Sequence, residues 1–278
     1  MSFDFAKWKA DAAAKDKNPT LMLLLAGAQG SGKSYTSGTF GVPTLYLHGT
    51  AEAHGPSQAA VTGGDLIVPH NWDLGHKTPT DAYVALVKLL SDDTLKDHFG
   101  AVIIDGATDL TYGLIRETEM FRQKCMTTKG AHDSWREGEA TLDLLKPIMK
   151  ALQKLKAAGV HTVVTMILDV QSVDGAGGLS VVKPNLPTYG ITTNLVPQFD
   201  DIAMIGEVMD HPDLEKPAHL LQFRTSIKRI SKDAKENVKS IFHITPRVTG
   251  VRKEDMPDFF KADLGILAAF KKKQMEGK

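Results

Sequence analysis

The 278 residues carry 33 Lys and Arg against 33 Asp and Glu, so no global basic field marks the chain for nucleic acid, although a local basic surface stays open. With 42% hydrophobic residues there is material for one large α/β domain, or one domain and a small appendage. The single cysteine, Cys125, excludes an internal disulfide and a multi-cysteine metal site. Residues 1–17 lack the apolar core of a signal peptide and no apolar run is long enough to span a membrane, so a soluble, cytoplasmic protein is expected.

Residues 1–18 read as an N-terminal arm or short helix, closed by Asn18-Pro19. Thr20–Ala26 is almost wholly apolar, as a buried parallel strand should be. It runs into Gly27-Ala-Gln-Gly-Ser-Gly-Lys33-Ser34, which satisfies G-x-x-x-x-G-K-[ST] at every fixed position in a strand–loop–helix setting. In such a loop, backbone N–H groups converge on phosphates and the following helix adds its partial positive charge. Lys33 would reach the terminal phosphates and Ser34 would hold Mg²⁺. Gly27, Gly30, Ser31, Gly32, Lys33, Ser34 and Tyr35 are the expected contacts, with ATP and Mg²⁺ as cofactors.

A helix follows to about Phe40, then a short strand, Pro43–His48, and a loop of small and polar residues through Pro56 that contains Glu52. Val61–Pro69 is expected to hold a strand. The spacing of Ala82, Leu86, Leu89 and Leu90 predicts an amphipathic helix over Thr80–His98. Ala101-Val-Ile-Ile-Asp105 is an apolar strand ending in an acid. The polar stretch 106–139 holds Arg116, Arg122, Lys124, Lys129, His132 and Arg136. A second helix is predicted over Glu139–Ala158, kinked at Pro147, with Leu142, Leu145, Met149, Leu152 and Leu155 on one side. His161–Leu168 is a further buried strand, followed by a glycine-rich loop from Ser172 to Thr193. Asp201–Val208, Ala218–Arg224 and Lys239–Ile244 read as strands, Leu264–Phe270 as a helix, and 269–278 as a basic tail. Strands alternating with helices imply an α/β fold with a mainly parallel sheet flanked by helices.

Asp105, at the end of its strand, suits the acid that assists Mg²⁺ beside the phosphate loop. A group that orients or deprotonates water is also needed. Glu52 is the first choice and Asp109 the rival. Thr165, Asp169 and Gln171 are placed to sense a γ-phosphate, while Thr165 in the core and Asp169 in a turn are equally ordinary readings. Lys228, Arg229 and Arg247 are late cations of the kind that ring or filament ATPases donate to a neighbouring site. The histidines show no metal-ligand spacing and no serine sits in a G-x-S-x-G elbow.

The order of Gly27–Ser34, Tyr46–Glu52, Ala101–Asp105 and His161–Leu168 resembles a RecA-type ATPase core. More closely, residues 20–268 resemble phage-encoded RecA-like nucleotide-binding proteins of single-strand annealing and recombination. Ser134-Trp135-Arg136-Glu137 and Pro246-Arg247-Val-Thr-Gly250 carry the remainder of that likeness. The resemblance implies a RecA-like P-loop NTPase domain over 19–268, with Lys33, Ser34, Asp105 and Glu52 at the nucleotide and Arg247 acting on a neighbouring subunit. It also implies single-stranded DNA at the 172–193 loop, through Lys183, Asn185 and Tyr189. A homo-oligomeric ring or filament, a single-strand binding protein as partner, and no membrane complete the expectation. A small-molecule or nucleotide kinase and a remodelling or loader ATPase remain open, whereas the guanine-reading N/T-K-x-D motif of a GTPase is missing.

Overall fold

Strand β1 (Met22–Gly27) is buried at all six positions, as its uninterrupted apolar sequence requires of a strand with neighbours on both edges and cover on both faces. A computed structural model describes residues 20–128, 130–172, 180–184, 195, 198–199, 201–208, 218–224 and 259–261. The expected arm 1–18, strand Lys239–Ile244, helix Leu264–Phe270 and tail 269–278 lie outside the described residues. The other strands are β2 (Thr44–His48), β3 (Ile67–Asn71), β4 (Ala101–Asp105), β5 (His161–Ser172), β6 (Ser180–Pro184), β7 (Asp201–Val208), β8 (Ala218–Arg224) and β9 (Phe259–Lys261).

The sheet runs β3-β2-β4-β5-β1-β7-β8-β9, with β6 paired to β5 off this path. Every pairing from β3 through β7 is parallel. Strands β6, β8 and β9 join antiparallel. Strand β5 thus separates the phosphate-loop strand β1 from the Asp105 strand β4. This is a mainly parallel sheet flanked by helices, as expected.

The helices are α1 (Lys33–Ser37), α2 (Gly55–Gly63), α3 (Pro79–Leu90), α4 (Leu95–His98), α5 (Ala107–Asp109), α6 (Glu119–Cys125) and α7 (Glu137–Ala157). The two-residue alternation of the strands divides the core between two faces. Met22, Leu24, Ala26, Leu47, Ile104 and Met166 pack with residues of α3, α6 and α7 in the larger cluster. Leu21, Leu23, Leu25, Tyr46, Ile103 and Val163 form a smaller one with Phe40 and with Ala59 of α2.

Several elements depart from the sequence expectation. Helix α2 occupies what reads as a loop and the start of a strand, and β3 begins only at Ile67. Helix α3 ends at Leu90 because Asp92 folds its carboxylate back onto the Thr94 N–H at 2.9 Å, and α4 is a separate turn. The polar stretch after β4 is helical in pieces: α5, a π-turn over Leu110–Leu114, a 3-10 turn over Ile115–Glu117, then α6. Thr118 caps α6 by accepting from the Phe121 N–H at 3.0 Å. Helix α7 begins two residues earlier than expected and continues through Pro147. Strand β5 runs on to Ser172, and Ser180–Pro184 pairs back on it, so the expected 172–193 loop contains a strand of an antiparallel hairpin.

Candidate nucleotide site

The site lies at the C-terminal ends of β1, β2, β4 and β5, the edge at which parallel α/β sheets present their loops to ligands. Gly32 ends the loop after β1 with φ +90°, a left-handed conformation that glycine adopts without a steric penalty, and its carbonyl accepts the Thr36 N–H at 2.9 Å. Lys33 and Ser34 therefore open α1 at a fixed angle to the strand. The Lys33 ammonium donates to the carbonyls of Gly27 (3.1 Å) and Ala28 (2.7 Å), folding over its own loop. Burial pushes the Lys33 pKa down, against the opposing pull of the Asp105 and Glu52 carboxylates.

Strand β5 supplies the link between the loop and β4. Leu25 pairs with Thr165 across β1 and β5, while Ile104 pairs with Val164 across β4 and β5. Thr165 consequently stands beside Asp105. Its hydroxyl donates to Asp105 Oδ1 at 2.6 Å and accepts the Gly106 N–H at 2.8 Å. The other carboxylate oxygen, Oδ2, accepts from Ser34 Oγ at 3.0 Å and from the Tyr46 hydroxyl. Asp105 is 2% exposed, so these three O–H donors supply the satisfaction that a buried carboxylate needs.

A cleft of about 250 Å³ opens over this network, lined by Gln29–Tyr35, Glu52, Gln58, Asp105, Gly106, Thr165 and Ile167. Glu52 reaches it from the 3-10 turn Thr50–Glu52 that follows β2. Burial raises the Glu52 pKa, the Asp105 and Asp109 charges raise it further, and Lys33 opposes them. Asp109 is half-buried at the end of α5, and its Oδ2 is buried without a hydrogen-bond partner. Its pKa is raised first by burial and then by Asp73. Asp109 is not among the residues lining the cleft, whereas Glu52 is.

The residues fit a triphosphate with its metal. Ser31 Oγ is buried in the loop with no partner, a donor that a phosphate oxygen would satisfy. Ser34 Oγ gives its proton to Asp105, which leaves an oxygen lone pair for a cation. Such a sparse set of hard oxygen donors suits Mg²⁺, which keeps waters and takes phosphate oxygens as its other ligands.

Neither a protein-family model nor a curated protein matches the sequence. Among solved structures, the chain is similar to a KaiC-like protein from the hyperthermophilic archaeon Pyrococcus horikoshii OT3. The two are 10% identical over 74% of this chain and 78% of that one, with a TM-score of 0.38.

Of the residues singled out from the sequence, Gly30, Ser31, Gly32, Lys33, Ser34, Tyr35, Glu52, Asp105 and Thr165 all line the one cleft, and Gly27 ends β1 beneath it. Arg247, Asn185 and Tyr189, with Lys228 and Arg229, lie outside the described residues. Lys183 belongs to β6, opposite Asp169 of β5. Gln29, Gln58, Gly106 and Tyr46 were not anticipated at the site. Tyr46 carried a signal, since a tyrosine between two leucines in a buried strand needs a partner for its hydroxyl. No described helix is long and apolar enough to cross a membrane.

Proposed function

We propose that the chain is a Mg²⁺-dependent ATPase of the RecA-like class that acts on single-stranded DNA in recombination or strand annealing, as a homo-oligomeric ring or filament. The observation that carries the ATPase reading is the convergence of Lys33, Ser34, Glu52, Asp105 and Thr165 on one cleft. Lys33 would exchange the Gly27 and Ala28 carbonyls for the terminal phosphate, bringing its positive charge to that group. Ser34 and Asp105 would hold Mg²⁺, which supplies charge neutralisation on the phosphoryl group. Glu52 lines the cleft whereas Asp109 does not, so Glu52 is assigned as the proton acceptor for an attacking water. Thr165 ties Asp105 to the Gly106 N–H, coupling the metal side to the segment that leads into α5. Arg247 is assigned to the nucleotide of a neighbouring subunit.

Support for a single-stranded polynucleotide comes from the surface. Trp135 is 93% exposed, although burying an indole is ordinarily worth far more than leaving it in water. Its backbone is held by the Asp133 carboxylate, which accepts the Trp135 N–H at 3.0 Å, and an exposed aromatic is a platform on which unpaired bases stack. Lys183, Asn185 and Tyr189 are assigned further contacts, to phosphates and bases of the same strand. The test is ATP turnover with and without single-stranded DNA, beside a mass measurement of the assembly. Stimulated turnover by an oligomer is expected. Turnover indifferent to DNA removes the DNA reading alone, and transfer of phosphate to an added nucleoside or sugar in place of water replaces the ATPase with a kinase.

A further inference from the structure

Tyr46 belongs to no part of the phosphate-loop pattern, yet it makes a hydrogen bond to the carboxylate that pattern depends on. It lies in the middle of β2, fully buried, on the face occupied by Ile103 and Ala59. The register sets His48 opposite Asp105 and Tyr46 opposite Ile103, two residues lower on the same face. A phenol is long enough to climb that one repeat, and its hydroxyl reaches Asp105 Oδ2. The first residue of α2 closes over the pair, since a Cβ on Gly55 would collide with both Asp105 Oδ2 and the Tyr46 hydroxyl. Burial, followed by the Asp105 charge, raises the Tyr46 pKa far above its ordinary value of 10.0, so the hydroxyl keeps its proton and stays a donor.

We propose that Tyr46 is a positioning residue for the metal side of the site, holding Asp105 in the rotamer from which it orients Ser34 toward Mg²⁺. The inference rests on the nucleotide-site reading above. Asp105 Oδ2 takes two donors with different duties. Ser34 lies at the cleft and must present its oxygen to the cation, whereas Tyr46 is sealed beneath α2 and does not line the cleft. Thr165 fixes Oδ1, so with Tyr46 in place the carboxylate is pinned at both oxygens whether or not a cation has arrived. Without the phenol, Oδ2 keeps Ser34 alone, and the carboxylate can turn about the Thr165 bond. Outer partners of this kind typically change metal affinity about 10–100-fold when removed.

The experiment compares Tyr46→Phe with the wild-type full chain, measuring affinity for ATP in the presence of Mg²⁺ and in EDTA, with a thermal melt of each protein. The wild type is expected to bind more tightly with Mg²⁺, and Tyr46→Phe to lose about tenfold of that gain while its affinity in EDTA stays within about twofold. A merely structural lesion moves both affinities together, so an equal loss with and without Mg²⁺ overturns the proposal, as does an intact Mg²⁺ gain. A second variant, Gly55→Ala, pushes a methyl between the same two groups from the α2 side and is expected to reduce the Mg²⁺ gain in the same way. Wild-type protein that binds no nucleotide in either condition overturns the nucleotide site itself and Tyr46 with it. Wild-type protein with a Mg²⁺ gain that both variants share removes Tyr46 alone.

Discussion

The two faces of the sheet are built to different specifications. Beneath α3, α6 and α7 the packing is a large apolar cluster, and the 21-residue α7 alone buries Leu144, Leu145, Ile148, Met149, Leu152 and Leu155. Beneath α1 and α2 the apolar cluster is small, and the same surface buries Ser31, Thr36, Ser37, Asp105 and Thr165. Helix α1 is only five residues long and begins at the phosphate loop. Stability and chemistry are therefore divided across one set of strands. Threonines are buried on the large-cluster side too, at Thr111, Thr118, Thr141 and Thr162, but the buried carboxylate of Asp105 lies on the α1–α2 side. The division predicts that substitutions on one side move activity with little change in folding, and those on the other move folding with little change in the site.

The largest expected effect tests the chemical side. Lys33→Ala removes the charge meant for the phosphate and should lower ATP turnover by about 10²–10³-fold. Its melting temperature should hold or rise, because burial opposes the Lys33 charge in the resting fold. Unchanged turnover would show that the loop is a structural turn. A melt that collapses along with activity would show that the two faces are not separable.

On the other side, Leu152 is fully buried on α7 against the large cluster. Leu152→Ala should destabilise the fold by about 2–5 kcal/mol in chemical denaturation. The nucleotide affinity of the protein that remains folded should be unchanged. A loss of affinity at full folding would mean that packing on this face is transmitted through β5 to Thr165.

What could be read in the sequence follows the same division. The central strands announce themselves, because β1 and β4 are continuous apolar runs, and the structure keeps the expected ends of β1, β4, β7 and β8 within a few residues. Helices α3 and α7 carry apolar residues at helical spacing because each covers a broad core. Helix α2 buries only Gly55 and Ala59, so it has no apolar stripe to detect. Strand β3 buries only Ile67 of its five residues, leaving little to mark its limits. The end of β5 is held by its ladder to β6, an interaction with no trace in local composition. At the site, the loop and Asp105 are legible because their chemistry is tied to local spacing. The Tyr46 and Gly106 contacts depend on the β2–β4 and β4–β5 registers, and a register is not visible in one strand alone.

A smaller perturbation falls where the two sides meet. Thr165 lies on β5 between Val164 and Met166, which point into the large cluster, while its own hydroxyl serves Asp105 and Gly106. Thr165→Val keeps the branched shape and removes one donor and one acceptor. The Gly106 N–H is then left without this partner, at about 1–3 kcal/mol of stability. Turnover should fall as well, so this position is expected to move both readouts. A variant that changes neither would show that the hydroxyl is replaceable by solvent.

The smallest effect concerns Glu52 and pH. Its folded-state pKa is raised above the ordinary 4.5, chiefly by burial, then by Asp105 and Asp109. A carboxylic acid with a raised folded pKa binds its proton more tightly in the fold than in the unfolded chain. It therefore opposes stability once the pH exceeds the unfolded value, and the penalty grows until the folded pKa is passed. Glu52→Gln carries no such charge. Its stability relative to wild type should be greatest at neutral pH and should vanish as the pH falls below about 4.5, the ordinary value of the group. In wild-type turnover, the acid limb should lie above that value, because the water acceptor must be ionised. A stability difference independent of pH would mean that Lys33 fully compensates the Glu52 charge. The raised proton affinity that suits Glu52 to water activation would then be absent, and the role would pass to Asp109.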